Sequence, residues 1–295
     1  MRLVTFLRDP KTGPRIGVRV GHRVLDIEAA SRVDGEPLPA TMKALLAAGK
    51  GALARTQALA RAAQTNAGRF SGALAEEGQI RLLPPVPDAD KFLCVGNSHR
   101  QHPDEAAKNG LVKEMPQEPT ALVKPNSSLV GHDARVAWPD DVARLDYEPE
   151  LVFVIGKRAL DVSKDDAFQH VVGVTILNDL TCSAAGFGPL GPEIITMDEI
   201  EDPYDLWMTC AVNGEERMRV NTRDQIWKLP DILEHFSRNA VVEPGDMFST
   251  GAPDGVAAGK PGASDLFLKP GDVIECSIEG YATLRTTIVS PAEVK

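Results

Sequence analysis

The chain has 295 residues, 43% hydrophobic and 25% charged, with 32 basic against 42 acidic side chains and a formal charge of −10. This composition excludes a disordered chain, a collagen and a disulfide-stapled miniprotein. The acidic balance argues against nucleic acid and against an anionic membrane surface, which recruit clustered Lys and Arg, and so favours a small-molecule role.

In chain order, residues 1–7, 15–20 and 22–27 read as short strands, with a turn at Gly21-His22 making a hairpin of the second and third. The charges at Arg2, Arg8, Asp9 and Lys11 leave too short an apolar core for a signal peptide. From Thr41 the apolar residues Met42, Leu45, Leu46, Leu53 and Leu59 recur at helical spacing, so one or two helices complete a small amino-terminal α+β domain, residues 1–82. Leu83-Pro84-Pro85-Val86-Pro87-Asp88 cannot be helical, because each proline restricts the residue before it, and marks a boundary. A second domain spans 90–295.

In that domain strand-like runs recur at 91–96, 120–124, 134–138, 147–156, 171–178, 206–212, 217–220, 246–250, 272–279 and 283–289. Helical stretches are short, at 103–109, 164–170 and 222–237. Strands dominate, which predicts an α+β, β-rich fold with a barrel or coiled sheet rather than a doubly wound one. Val212-Asn213-Gly214-Glu215 is a hairpin signal, and the repeated Pro-Gly-Asp at 244–246 and 270–272 suggests duplicated hairpins. No phosphate-binding glycine loop follows a strand, and the longest apolar run, Val171 to Leu177, is far below the ~18 residues that span a bilayer. Cys94, Cys182, Cys210 and Cys276 stand far apart without a CxxC pair, which reads as reduced thiols and a cytoplasmic protein.

Three segments could carry chemistry. In Asp146-Tyr147-Glu148-Pro149-Glu150-Leu151 a strand would put Glu148 and Glu150 on one face, about 6.5–7 Å apart along the backbone, either as a solvated face or as two ligands for one cation. Asp179, ending the apolar run 171–178, is either a turn cap or a third ligand. Together the three make an all-oxygen set suited to a hard cation, Mg²⁺ or Mn²⁺. In Gly96-Asn97-Ser98-His99-Arg100-Gln101-His102-Pro103-Asp104-Glu105, Pro103 starts a short helix capped by His102. Glu105 falls at its third position, so the pair is either a plain cap or a carboxylate-oriented general base.

Several segments resemble, in order and approximate spacing, the fumarylacetoacetate hydrolase (FAH) family over about 90–289. They are Gly96…His102-x-x-Glu105, Lys124-Pro125…Gly131, Asp146-Tyr147-Glu148-x-Glu150-Leu151…Gly156, Asn178-Asp179, Pro189-Leu190-Gly191-Pro192, Val212-Asn213-Gly214-Glu215, Pro244-Gly245-Asp246 and Ser249-Thr250-Gly251-Ala252-Pro253. The resemblance implies a distorted mixed β-roll or barrel core, a homodimer, and a divalent ion on Glu148, Glu150 and Asp179. It also implies a lid bringing a His102–Glu105 dyad to the metal, and a substrate wall at Thr250-Gly251. The chain departs from the family at 180–188, where the family's Arg, Gln and Lys have no counterpart. Lys124 and Arg100 then become the nearest cations for a substrate carboxylate, with surface positions as their bland alternative. The expected reaction is metal-dependent hydrolysis of a carbon–carbon bond in an acylpyruvate. The alternatives are decarboxylation or isomerisation of an oxaloacetate-like enol acid, or a weakened carboxylate-binding homologue.

Overall fold

The computed structural model describes residues 1–96, 98–99, 116–140, 142–181, 186–260 and 262–293. The amino-terminal part supplies β1 (Arg2–Leu7), β2 (Arg15–Val20), β3 (Arg23–Asp26), α1 (Ile27–Val33), α2 (Met42–Ala47), α3 (Gly49–Thr65), β4 (Leu74–Glu76) and β5 (Arg81–Leu83). Strand β3 stops at Asp26, earlier than the sequence suggests, because its carboxylate caps α1, accepting from Ala29 N at 3.0 Å. Thr41 caps α2 in the same way, its hydroxyl accepting from Ala44 N at 3.3 Å.

The rest supplies β6 (Phe92–Gly96), β7 (Thr120–Val123), β8 (Leu129–Val130), β9 (Ala134–Ala137), β10 (Pro149–Ile155), β11 (Val171–Asn178) and β12 (Gly188–Thr196). There follow β13 (Trp207–Val212), β14 (Glu215–Asn221), α4 (Leu229–Ser237), β15 (Met247–Ser249), α5 (Ala263–Leu266), β16 (Val273–Ile278) and β17 (Ala282–Val289). The stretch 164–170 is a 3-10 helix, and of 222–237 only α4 is α-helical.

Among the described residues these strands make two open sheets rather than a closed barrel, so the β-rich α+β class stands and the closed-barrel form of it does not. The larger runs β4-β3-β2-β1-β12-β11-β10-β15-β6-β7, and the smaller β14-β13-β16-β17-β9. The amino-terminal strands are not a small sheet of their own, because β1 pairs antiparallel with β12. Buried Glu193 on β12 fastens this seam, accepting from Arg2 at 2.8 Å and pairing with Arg19 as well. Strand β12, with two prolines and two glycines in Gly-Pro-Leu-Gly-Pro, reads as a turn in the sequence yet is buried at every position. Its ladder to β11 uses Leu190, Gly191, Ile195 and Thr196, and a register shift between Val174 and Ile176 absorbs the missing proline donors.

Strand β10 explains its own unbroken apolar run. Leu151, Phe153 and Ile155 enter the core shared with the smaller sheet, while Val152 and Val154 enter the core shared with α1, α2 and α3. A strand covered on both faces has no polar side to show. The two Pro-Gly-Asp segments are one turn used twice rather than duplicated hairpins. Asp246 accepts from Glu243 N and Asp272 from Lys269 N, each at 2.7 Å, but the strands that follow lie in different sheets. Cys210 and Cys276, distant in sequence, face each other across β13 and β16 with sulfurs 3.8 Å apart, both as free thiols.

Candidate active site

The carboxylates converge where β10 begins and β11 ends. Pro149 pairs with Asn178 and Glu150 with Leu177, so Glu148 and Asp179 are the next opposed pair, joined by Asp179 N donating to Glu148 O at 2.8 Å. Side chains opposed across an antiparallel ladder have Cβ atoms about 4.5–5.5 Å apart, and Glu150, two residues along, shares their face. Asn178 is fully buried, and its Oδ1 accepts from Glu148 N at 3.0 Å and fixes the glutamate's backbone. Buried Glu150 accepts from Gly251 N at 3.1 Å. Gly251 has φ +79°, and a Cβ there would lie 2.4 Å from Val95 O, so only glycine brings this N–H to the carboxylate.

Electrostatics betray the crowding. Burial, then the Asp179 charge, pushes Glu148 up to about 8. The same two causes hold Glu150 well above the ordinary carboxylate range. Cys94 on β6 forms a wall of the site, its thiol pushed up by burial and then by Glu150 and Asp179. Three acids held together, Glu150 buried and Glu148 and Asp179 half-buried, lack positive charge. Lys124, buried just after β7, supplies one, its Nζ lying 2.6 Å from Asp179 Oδ1. Gly188 makes room for that lysine, since a Cβ there would sit 2.5 Å from Lys124 Cε.

Among the described residues no three His, Cys, Asp or Glu side chains are closed up into a ligand set. The donors at this site nevertheless fit a hard divalent ion in kind: all are oxygens, and two are raised by a neighbouring negative charge. Of the residues singled out in the sequence, Glu148, Glu150, Asp179, Lys124, Thr250 and Gly251 come together here. Arg100, His102 and Glu105 lie outside the described residues. Lys124 stands against Asp179, which its sequence context does not reveal. Thr250 is fully buried, with a hydroxyl that has no hydrogen-bond partner among the described residues.

Lys124→Met should destabilise the metal-free protein by ~1–3 kcal/mol, because it leaves the half-buried Asp179 unpaired beside two other acids. Adding Mn²⁺ should then raise Tm more in the variant than in the wild type, since the ion replaces the lost charge. Equal Mn²⁺-induced gains in differential scanning calorimetry would show that Lys124 does not share the charge of this site.

His99 is buried one residue beyond Ser98, whose Cβ lies 3.4 Å from where a Cβ on Gly251 would stand. It forms a β-bridge with Gln225, and burial, then Lys228, lowers its pKa from 6.5 to about 4. The unfolded chain therefore binds a proton below pH 6.5 that the folded one refuses, and stability falls as pH drops from 6.5 towards 4. The full effect of this one group is about 3 kcal/mol. His99→Phe should flatten that part of the acid limb of a urea-denaturation series. An unchanged limb would mean that His99 titrates normally.

A model of the fumarylacetoacetate hydrolase C-terminal domain matches residues 91–289. The chain belongs to the fumarylacetoacetate hydrolase family and is an enzyme of that superfamily. It is 32% identical to the mitochondrial oxaloacetate tautomerase fahd2 of Xenopus laevis, covering 98% of this chain and 90% of that one. It is 30% identical to the oxaloacetate tautomerase YisK of Bacillus subtilis, covering 90% and 93%. Among solved structures, maleylpyruvate hydrolase from Sphingobium sp. SYK-6, in complex with manganese(II) and pyruvate, superposes with a TM-score of 0.74 at 26% identity over 98% of this chain and 99% of that one.

Proposed function

We propose that this enzyme interconverts the enol and keto forms of oxaloacetate or a closely related 2-oxo dicarboxylic acid. The observation that carries the reading is the pairing of a complete carboxylate cluster with a stretch, 180–188, that holds no Arg, Lys or Gln. Hydrolysis must stabilise an oxyanion at a 4-carbonyl, which calls for donors there. Tautomerisation only moves a proton between C3 and the 2-oxo oxygen and needs none. Two relatives at 30% identity or more, aligned over at least nine-tenths of both chains, carry the name oxaloacetate tautomerase.

Glu148, Glu150 and Asp179 are the residues to hold Mg²⁺ or Mn²⁺, and such an ion, when bound, stabilises negative charge developing on the 2-oxo oxygen. Towards the enol, His102, oriented by Glu105, takes the proton from C3 as general base and returns it to the 2-oxo oxygen as general acid; towards the keto form it runs the two transfers in reverse. The buried Thr250 hydroxyl, unpartnered among the described residues, and Gly251 line the substrate side. Lys124 and Arg100 meet the substrate carboxylates. The proposal includes a homodimer and a reducing compartment, either the cytoplasm or the mitochondrion that some relatives' names carry. Among the described residues no helix is long and apolar enough to cross a membrane.

A second reading, hydrolysis of an acylpyruvate, is favoured by the likeness to the maleylpyruvate hydrolase structure. One assay separates the two. Protein with Mn²⁺ is given enol-oxaloacetate and, separately, a short acylpyruvate, with ultraviolet absorbance following the enol and a coupled assay following pyruvate. Rapid loss of enol without pyruvate from the acylpyruvate is the expected result. Pyruvate release with enol-oxaloacetate untouched would overturn the tautomerase reading in favour of hydrolysis.

A further inference from the structure

Strands β10 and β11 carry the acids at one end, and their other ends open onto a cavity of about 770 Å³. Its floor includes Gly156, Val171 and Val172, just past β10 and at the start of β11, together with Met197. Its roof is one face of α3, where Lys50, Leu53, Ala54 and Gln57 stand at helical spacing. Seven strand residues separate the two ends, so the cavity lies on the order of 20 Å from the carboxylates.

The chemistry of this cavity is the reverse of the active site's. Lys50, Lys157 and Arg158 line it against one acid, Asp198, on a chain whose net charge is −10. Arg158 is paired with Glu243 at 3.3 Å, and Asp198 lies 3.6 Å from the terminal amine. Among the described residues neither Lys50 nor Lys157 has a carboxylate partner. Leu53, Val172, Met197 and Pro244 supply apolar wall. The His170 ring is held between the Lys157 and Arg158 carbonyls, with Nδ1 at 3.2 and 3.0 Å, which fixes the backbone bearing both cations. Pockets of 300–1,000 Å³ with apolar walls and a few convergent charges are the usual form of a small-molecule site.

We propose that this cavity is a second binding site, separate from the active site, for an aromatic carboxylate. The ring lies against the Met197 thioether and the aliphatic wall, a contact that sulfur favours. The carboxylate meets Lys50 and Lys157. Lys50 comes from the amino-terminal helix and Lys157 from beyond β10, so the bound acid ties the two parts of the chain together.

The probe is 2-naphthoate, titrated into full-length protein labelled with ¹³C-methyl methionine. The Met197 methyl resonance should shift and saturate, and oxalate with Mn²⁺, which occupies a carboxylate-binding metal site, should not compete. Naphthalene-2-methanol, which lacks the charge, and sulfate, which lacks the ring, should each bind at least tenfold more weakly. Lys50→Glu/Lys157→Glu should raise Kd at least tenfold. Ala54→Trp, which fills the cavity from an exposed helix position, should abolish the shift while leaving Tm unchanged. Equal binding of the uncharged analogue, an unaltered Kd in the charge-reversed variant, or displacement of naphthoate by oxalate and Mn²⁺ would each overturn the proposal. None of these outcomes depends on which reaction the carboxylates serve.

Discussion

Glu150→Ala, Glu148→Ala and Asp179→Ala should each abolish tight Mn²⁺ binding, and with it turnover. The three side chains come from two adjacent strands onto one face, so losing any one breaks the set. The same crowding predicts an opposite effect on the metal-free fold. Glu148, held up to about 8, keeps a proton between its ordinary pKa of 4.5 and that value while the unfolded chain gives it up. Folding therefore binds an extra proton in that window, and stability falls as pH rises through it, levelling near pH 8. Glu148→Gln removes the titration and relieves the repulsion, so its metal-free Tm at pH 8 should exceed the wild type's even as Mn²⁺ affinity is lost. Calorimetry for the metal and thermal melts at pH 5 and 8 in chelator check both halves. Wild-type Mn²⁺ affinity in all three alanine variants would remove the site.

His102→Ala should lower kcat by ~10²–10⁴-fold, the usual contribution of a positioned general base, with Mn²⁺ affinity unchanged. Glu105→Gln should lower it less, since it spares the imidazole and removes only the charge that orients it and stabilises its protonated form. Steady-state rates of enol consumption, with calorimetry on the same samples, check this. A near wild-type rate in His102→Ala would leave that residue as a helix cap.

What the sequence makes legible follows from what is local. Glu148 and Glu150 share a face because strands alternate, and Asp179 ends a long apolar run, so the cluster can be anticipated from pattern alone. The ten strands expected after residue 90 are present within a few residues, since each carries its own β-rich run. Strand β12 escapes because its prolines and glycines argue locally for a turn. Only its position between β1 and β11 explains why they sit in a ladder. The seam that joins the amino-terminal strands to the larger sheet is invisible for the same reason: β1 and β12 are nearly two hundred residues apart. Lys124, read in the sequence as a cation for a substrate carboxylate or a surface lysine, gains Asp179 as its partner only when β7 and β11 are brought together. Cys210 and Cys276 become neighbours only through the register of β13 and β16. His99 and Gln225 likewise meet only in the folded chain.

The most direct measurement is anomalous diffraction at the manganese edge from crystals grown with Mn²⁺. The account predicts one peak within about 2.0–2.3 Å of carboxylate oxygens from Glu148, Glu150 and Asp179, with the Lys124 ammonium moved off Asp179. A manganese peak elsewhere, or none with Lys124 still bound to Asp179, would contradict it.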